Sequence, residues 1–152
     1  MGALQVTGEF VFKGPREQVW TLFTDETVLQ KCTPGCERLE RVGPDEFRVG
    51  LKIGLAAIKG NYDGTLRFVD RQEPQSMTLL IQSTGSGGFA NVSGHMDLVE
   101  QGDATRVSYN WNVQVGGPVA MAGQRVLGGV AKWVIDEFFK TAQKELAVRV
   151  AI

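Results

Sequence analysis

The sequence predicts an α+β fold in which a curved seven-stranded antiparallel sheet wraps one long C-terminal helix, with two short helices after the first strand. Three observations carry that expectation. Apolar and polar residues alternate with period two along an opening segment and about six later ones. Short turns rich in Gly, Pro and Asp join the later segments, which argues hairpins and therefore antiparallel pairing. One apolar-striped stretch of about 30 residues closes the chain, and it alone could cover the apolar face of such a sheet. With 152 residues and no repeat or linker, a single domain over residues 1–152 is expected.

In the first strand, Leu4, Val6, Gly8, Phe10 and Phe12 share one face, opposite Gln5, Thr7, Glu9 and Lys13. Gly14-Pro15 breaks it. Pro15 suits the first position of a helix that carries Val19, Trp20, Leu22 and Phe23. A second short helix runs from near Asp25 to Lys31, capped by Thr24 or Asp25, and Pro34-Gly35 ends it. Leu39 and Val42 precede the turn Gly43-Pro44-Asp45. Phe47, Val49, Leu51, Ile53 and Leu55 then alternate with polar or small residues, as do Ile58, Gly60, Tyr62, Gly64, Leu66 and Phe68. A turn at Glu73 to Ser76 leads into a strand from Met77 to Ser83. After the loop Gly85 to Gly88, Ala90, Val92, Gly94, Met96 and Leu98 form an inward set. Gly102-Asp103 is a tight hairpin signal, followed by Val107, Tyr109, Trp111, Val113 and Val115 on one face. Pro118 opens the last helix, expected from Val119 to about Val148. Its apolar stripe is read as Val119, Ala122, Val126, Val130, Trp133, Val134 and Phe138.

Composition excludes several function classes. Sixteen Lys and Arg against seventeen Asp and Glu give a net charge of -1, without the basic patch of a nucleic-acid binder. No apolar run is long enough to span a membrane, and no signal peptide is evident. Two cysteines give no disulfide framework, and the chain reads as intracellular.

Glycine is the compositional anomaly, at 19 residues. Gly8, Gly50, Gly54, Gly60, Gly64 and Gly94 fall in predicted strands, and Gly123, Gly128 and Gly129 in the predicted long helix. One reading is that they bend the sheet and let the helix pack closely. A second is that they thin the interface between sheet and helix and leave a hollow. An empty apolar space of ~300 Å³ would cost ~7 kcal/mol, so a hollow of that size implies an occupant.

Candidate chemistry is sparse. Among the inward positions from Phe47 to Val115 there is no Asp, Glu, Lys or His, whereas acid–base catalysis usually needs one. The lone histidine, His95, lies on the polar face with Asn91, Ser93 and Asp97 and reads as a surface residue. Cys32 and Cys36 are separated by three residues, and Pro-Gly between them reads as a turn, not a redox or zinc motif. The Gly85 to Gly88 loop lacks the helix and lysine of a phosphate cradle. No metal or cofactor is expected. Trp111, Tyr62, Tyr109, Phe68, Met77 and Met96 are the bulky inward groups. They serve either as plain core or as a lining whose Tyr and Trp polar atoms orient an apolar ligand.

Several strings, taken in order, resemble a known family. They are Gly8-Glu9-Phe10, Pro15-Arg16-Glu17-Gln18-Val19-Trp20 with Leu22, Thr33-Pro34-Gly35-Cys36-Glu37, Tyr62-Asp63-Gly64 with Asp70, Ala120-Met121-Ala122-Gly123-Gln124-Arg125, and Phe138-Phe139. Together they cover nearly the whole chain and resemble the CoxG family of carbon monoxide dehydrogenase subunits, within the START-like (SRPBCC) superfamily. The resemblance implies a helix-grip fold with a cavity between sheet and helix, and an accessory, non-enzymatic role. The partner implied is a molybdenum-containing carbon monoxide dehydrogenase or related hydroxylase. The role implied is coupling to the membrane or to a lipophilic quinone, in the cytoplasm or at the inner membrane face. Some members carry a C-terminal tail that reaches the membrane. This sequence ends at Ile152, so no such anchor is expected here.

The leading expectation is thus a protein that holds a quinone or lipid in a cavity lined by Trp20, Tyr62, Phe68, Met96, Trp111, Val126, Val130 and Trp133. One alternative is a polyketide cyclase or dehydratase on the same fold, which would need Tyr62 or Tyr109 paired with Asp or Arg inside the cavity. The other is a docking module with a filled core.

Overall fold

The computed structural model describes residues 2–54 and 58–151. The expected inward position of Leu55 lies outside them. The elements run β1 (Gly2–Phe12), α1 (Arg16–Thr24), α2 (Glu26–Cys32), β2 (Cys36–Gly43), β3 (Glu46–Ile53), β4 (Gly60–Gln72), β5 (Ser76–Gly85), β6 (Gly88–Gln101), β7 (Ala104–Gly116), a short 3-10 turn (Pro118–Ala122) and α3 (Gln124–Ala151). The seven strands form one antiparallel sheet in the order β1-β7-β6-β5-β4-β3-β2. Hairpins join every neighbouring pair except the last closure, in which β1 pairs along its length with β7, from Gly2 opposite Val115 to Phe12 opposite Thr105.

Local chemistry sets the short helices. Pro15, whose ψ of 148° is extended, stands just before α1 as its cap, one position earlier than expected. Its carbonyl receives the Gln18 and Val19 N–H groups. Asp25 caps α2, its Oδ1 accepting from the N–H of Thr27 at 2.9 Å and of Val28 at 3.3 Å. The other Asp25 oxygen meets Arg149 Nη2 at 3.0 Å, which ties the end of α3 to the start of α2. Burial alone would raise the Asp25 pKa; Arg149 and the two capping N–H groups outweigh it and hold the carboxyl below its ordinary range.

The core lies between the concave sheet face and α1, α2 and α3. Phe10, Phe12, Phe23, Phe138 and Phe139 join β1, α1 and α3 in one aromatic cluster, with ring centroids 4.8 to 6.1 Å apart. Ile135, Phe139, Ala142 and Leu146 are buried along one face of α3.

The last helix departs from the sequence reading in two respects. First, it does not run unbroken from Val119. Gly117 (φ +80°) and Gly123 (φ +86°) flank a separate 3-10 turn, and α3 begins only at Gln124. Left-handed backbone of this kind is what glycine permits without a Cβ clash. Second, the buried face is Leu127, Ile135, Phe139, Ala142 and Leu146, not the predicted stripe. The break at Gly123 removes Val119 and Ala122 from the phase of α3. Apolar residues then occupy several faces of its first half, and the sheet selects one of them.

Candidate functional site

An apolar cavity of about 120 Å³ lies between the sheet and α3. Its floor is built from neighbouring strands: Leu66 on β4, Leu79 and Ile81 on β5, Met96 on β6 and Trp111 on β7. Phe23, Leu29 and Thr33 close it from α1 and the end of α2, and Val134, Ile135, Phe138 and Phe139 from α3. No lining residue carries an ionisable side chain. The Thr33 hydroxyl is already committed, donating to the Leu29 carbonyl at 2.6 Å.

Strand register explains the floor. Leu79 on β5 stands opposite Gly94 on β6, and Gly94 stands opposite Trp111 on β7. Residues directly opposite one another face the same side of the sheet. A Cβ added at Gly94 would sit 2.8 Å from Trp111 Cδ2 and Cε2 and 2.9 Å from its Nε1. The missing side chain therefore lets the indole lie flat across the neighbouring strand. The same device recurs in the sheet. Tyr109 lies over Gly8, Tyr62 over Gly85, and Phe89 over Gly116, each a cross-strand pair. Gly8, Gly85, Gly94 and Gly116 thus seat aromatic rings, whereas Gly50 faces Arg38 and Gly64 the backbone of Gln82 and Ser83. Left empty, the cavity costs about 3 kcal/mol at about 24 cal/mol per Å³, which a folded domain can carry.

Of the expected lining residues, Met96 and Trp111 stand in this cavity wall. Trp20, Tyr62 and Phe68 are buried elsewhere. The Trp20 ring lies beneath the Arg71 guanidinium, 5.8 Å from its centroid. The Tyr62 hydroxyl donates to the Ile58 carbonyl at 2.6 Å. Phe68 packs edge-on against Phe47. Val130 is half-buried, and Val126 and Trp133 are 45% and 44% exposed. The residues not anticipated are Phe23, Leu29, Thr33, Leu66, Leu79, Ile81, Val134, Ile135, Phe138 and Phe139. Period-two pairing of Leu66 with Ile81 would have indicated two of them.

The polar pairs lie outside the cavity lining. The Lys132 ammonium donates to the buried Tyr109 hydroxyl at 2.5 Å, and that bond is the main reason its pKa is held above the ordinary lysine value. His95 bridges Thr78 and Asp97, at 3.1 Å each, on the outer face of the sheet. Burial first, and the Glu145 carboxylate second, push the Cys32 thiol up to about 11, so it is an unreactive thiol at neutral pH. Among the described residues no His, Cys, Asp and Glu cluster could hold a metal ion. No helix among them is long and apolar enough to cross a membrane.

The fold has clear parallels. A conserved protein from Geobacillus kaustophilus is 42% identical, with a TM-score of 0.92 over 95% of both chains. A START superfamily protein from Mycobacterium smegmatis is 14% identical, with a TM-score of 0.77 over 96% of this chain and 98% of that one. The Zhui aromatase/cyclase from Streptomyces sp. R1128 is 15% identical, with a TM-score of 0.74 over 98% and 96%. At those lower identities the likeness concerns the fold alone. No curated protein matches the chain. Residues 8–147 match the CoxG family of carbon monoxide dehydrogenase subunits, and the chain belongs to that family.

Proposed function

We propose that the protein is a non-enzymatic accessory that holds a lipophilic molecule, a quinone or a lipid, between its sheet and α3. In this reading it serves a molybdenum-containing carbon monoxide dehydrogenase or related hydroxylase at the inner membrane face. The observation that carries the proposal is the cavity itself, about 120 Å³ and lined by no ionisable side chain. Such a lining binds by excluding water from apolar surface and offers little to acid–base chemistry. Membership of the CoxG family supports an accessory, ligand-binding role in general terms. A cavity of about 150 Å³ holds a benzene ring in another protein, so this one suits a single ring or a short length of chain.

The cyclase alternative receives no support from the tyrosines. Tyr62 pairs with a backbone carbonyl and Tyr109 with Lys132, and neither lines the cavity. Solvent extraction of the purified protein followed by mass spectrometry tests the binding proposal, together with thermal denaturation in the presence of quinones and fatty acids. A protein that carries nothing and that neither class stabilises would sink it. Co-purification with the molybdenum enzyme tests the accessory role separately.

A further inference from the structure

We propose that the cavity takes the hydrocarbon chain of its ligand and leaves the polar head outside. This rests on the cavity being a ligand site and specifies which part of the ligand that site recognises.

Among the described residues, the wall offers a ligand oxygen no hydrogen-bond donor. No lining side chain is ionisable, and all are hydrocarbon or thioether except Thr33 and Trp111. Neither exception supplies a donor. The Thr33 hydroxyl donates to the Leu29 carbonyl at 2.6 Å. Trp111 lines the cavity with ring carbon, while its indole nitrogen is enclosed over Gly94 on the neighbouring strand. The backbone is spent as well. The floor strands pair with one another along their length, and α3 bonds its own N–H groups internally.

Size and solvation then decide the orientation. At about 120 Å³ the cavity is smaller than the one of about 150 Å³ that holds benzene in another protein. A lipid or a chain-bearing quinone therefore cannot enter whole, and one end must stay out. A carbonyl, ester or carboxylate carried inside would lose its hydrogen bonds to water and gain none in return. A hydrocarbon segment carried inside gives up no hydrogen bond and removes apolar surface from water. The end that enters is the acyl chain of a lipid or the isoprenoid chain of a quinone, which share one chemistry. The head, a quinone ring included, stays outside.

The test compares methylenecyclopentane with cyclopentanone, which have nearly the same shape and differ in a carbonyl. Isotope-labelled methyl resonances of Leu66, Leu79, Ile81 and Met96 are followed during titration of the purified protein. Octanol can hydrogen-bond a carbonyl and the cavity cannot. The ketone is therefore expected to bind more weakly than the alkene by about tenfold beyond their octanol–water partition ratio. A difference at or below that ratio would mean that the wall meets the carbonyl; it overturns the orientation and leaves the ligand site standing. If neither probe moves the wall resonances, the ligand site itself fails. Thr33→Val should leave both affinities within about twofold. A loss confined to the ketone would show that the Thr33 hydroxyl turns to serve it, and would also overturn the orientation. The wild-type comparison decides the question even if the variant does not fold. Titrations with n-hexane and isohexane then separate the two sources. Tighter binding of the linear isomer identifies an acyl chain and of the branched isomer an isoprenoid chain, and either supports the orientation.

Discussion

In the C-terminal half of α3, Phe139, Ala142 and Leu146 are buried to 2% exposure or less, whereas in the N-terminal half only Leu127 and, near the midpoint, Ile135 are buried. The two halves also differ in what surrounds them. Phe139 packs on Phe10, Phe12, Phe23, Phe138 and Tyr109, and Arg149 ties the helix end to Asp25. In the N-terminal half, a Cβ added at Gly128 or Gly129 would meet nothing within 4 Å, and Val126 and Trp133 face solvent. The contrast teaches that a single helix does two jobs. One half clamps the sheet; the other is a loosely held flank beside the cavity. Local stability follows contact density, so the N-terminal half is the part that opens at least cost.

Substitutions can break or sharpen that contrast. Phe139→Ala should cost about 3–5 kcal/mol, read from urea denaturation, while Trp133→Ala should cost less than about 0.5 kcal/mol as an exposed change. Losses of similar size from both would erase the distinction. Gly94→Ala pushes a methyl group against the Trp111 ring under the junction of the two halves. It should cost about 1–3 kcal/mol and lower the affinity for any cavity ligand, which isothermal titration would report. Unchanged stability would mean that the indole is free to move aside.

Asp25→Ala removes the α2 cap and the tie to Arg149 and should cost about 1–2 kcal/mol at neutral pH. Because the folded pKa of Asp25 lies below the ordinary value of 3.8, its contribution is full above that value and is lost as pH falls through the folded one. The stability difference between wild type and variant should therefore shrink in acid. A difference that stays constant down to about pH 2 would show that the Asp25 charge is not what holds the clamp. The smallest expected effect has the opposite sign. Gly128→Ala and Gly129→Ala should each stabilise by about 0.5–1 kcal/mol, since helix propensity improves and the new methyl groups meet no obstacle.

Much of the architecture was legible in the sequence because strand signals are local. Period-two alternation placed β1, β3, β4, β6 and β7, the turns on either side placed β5, and Gly102-Asp103 marked its hairpin, whereas β2 was read only as the segment before the Gly43 turn. Asp25 was one of two residues expected to cap α2, and its carboxylate does so. The break at Gly123 was not legible, because a glycine after Ala-Met-Ala reads as one tolerated inside a helix; its positive φ belongs to the three-dimensional path. Nor was the phase of α3. Val126, Leu127, Val130, Ala131, Trp133, Val134 and Ile135 spread over more than half of the helical wheel, so contact with the sheet decides which of them is buried. The cavity is the least local feature. It depends on Trp111 lying over Gly94, a pairing that exists only once β6 and β7 are in register. Met96 and Trp111 share an inward face that sequence could identify, whereas the contribution of Leu29 and Thr33 depends on how α2 docks.

The pairing of β1 with β7 carries a consequence for how the chain is made. The first strand leaves the ribosome before the rest of the domain, with Leu4, Val6, Phe10 and Phe12 ready to be buried. Its only neighbour in the sheet is roughly a hundred positions further along the chain. Loop closure over that distance slows folding, since the entropy is spent before the long-range contacts form. The β2 to β6 meander can form first by successive hairpins, while β1 waits with an exposed apolar face. During synthesis the strand made first is therefore among the last to be secured, and it is then that the nascent chain most needs protection from aggregation.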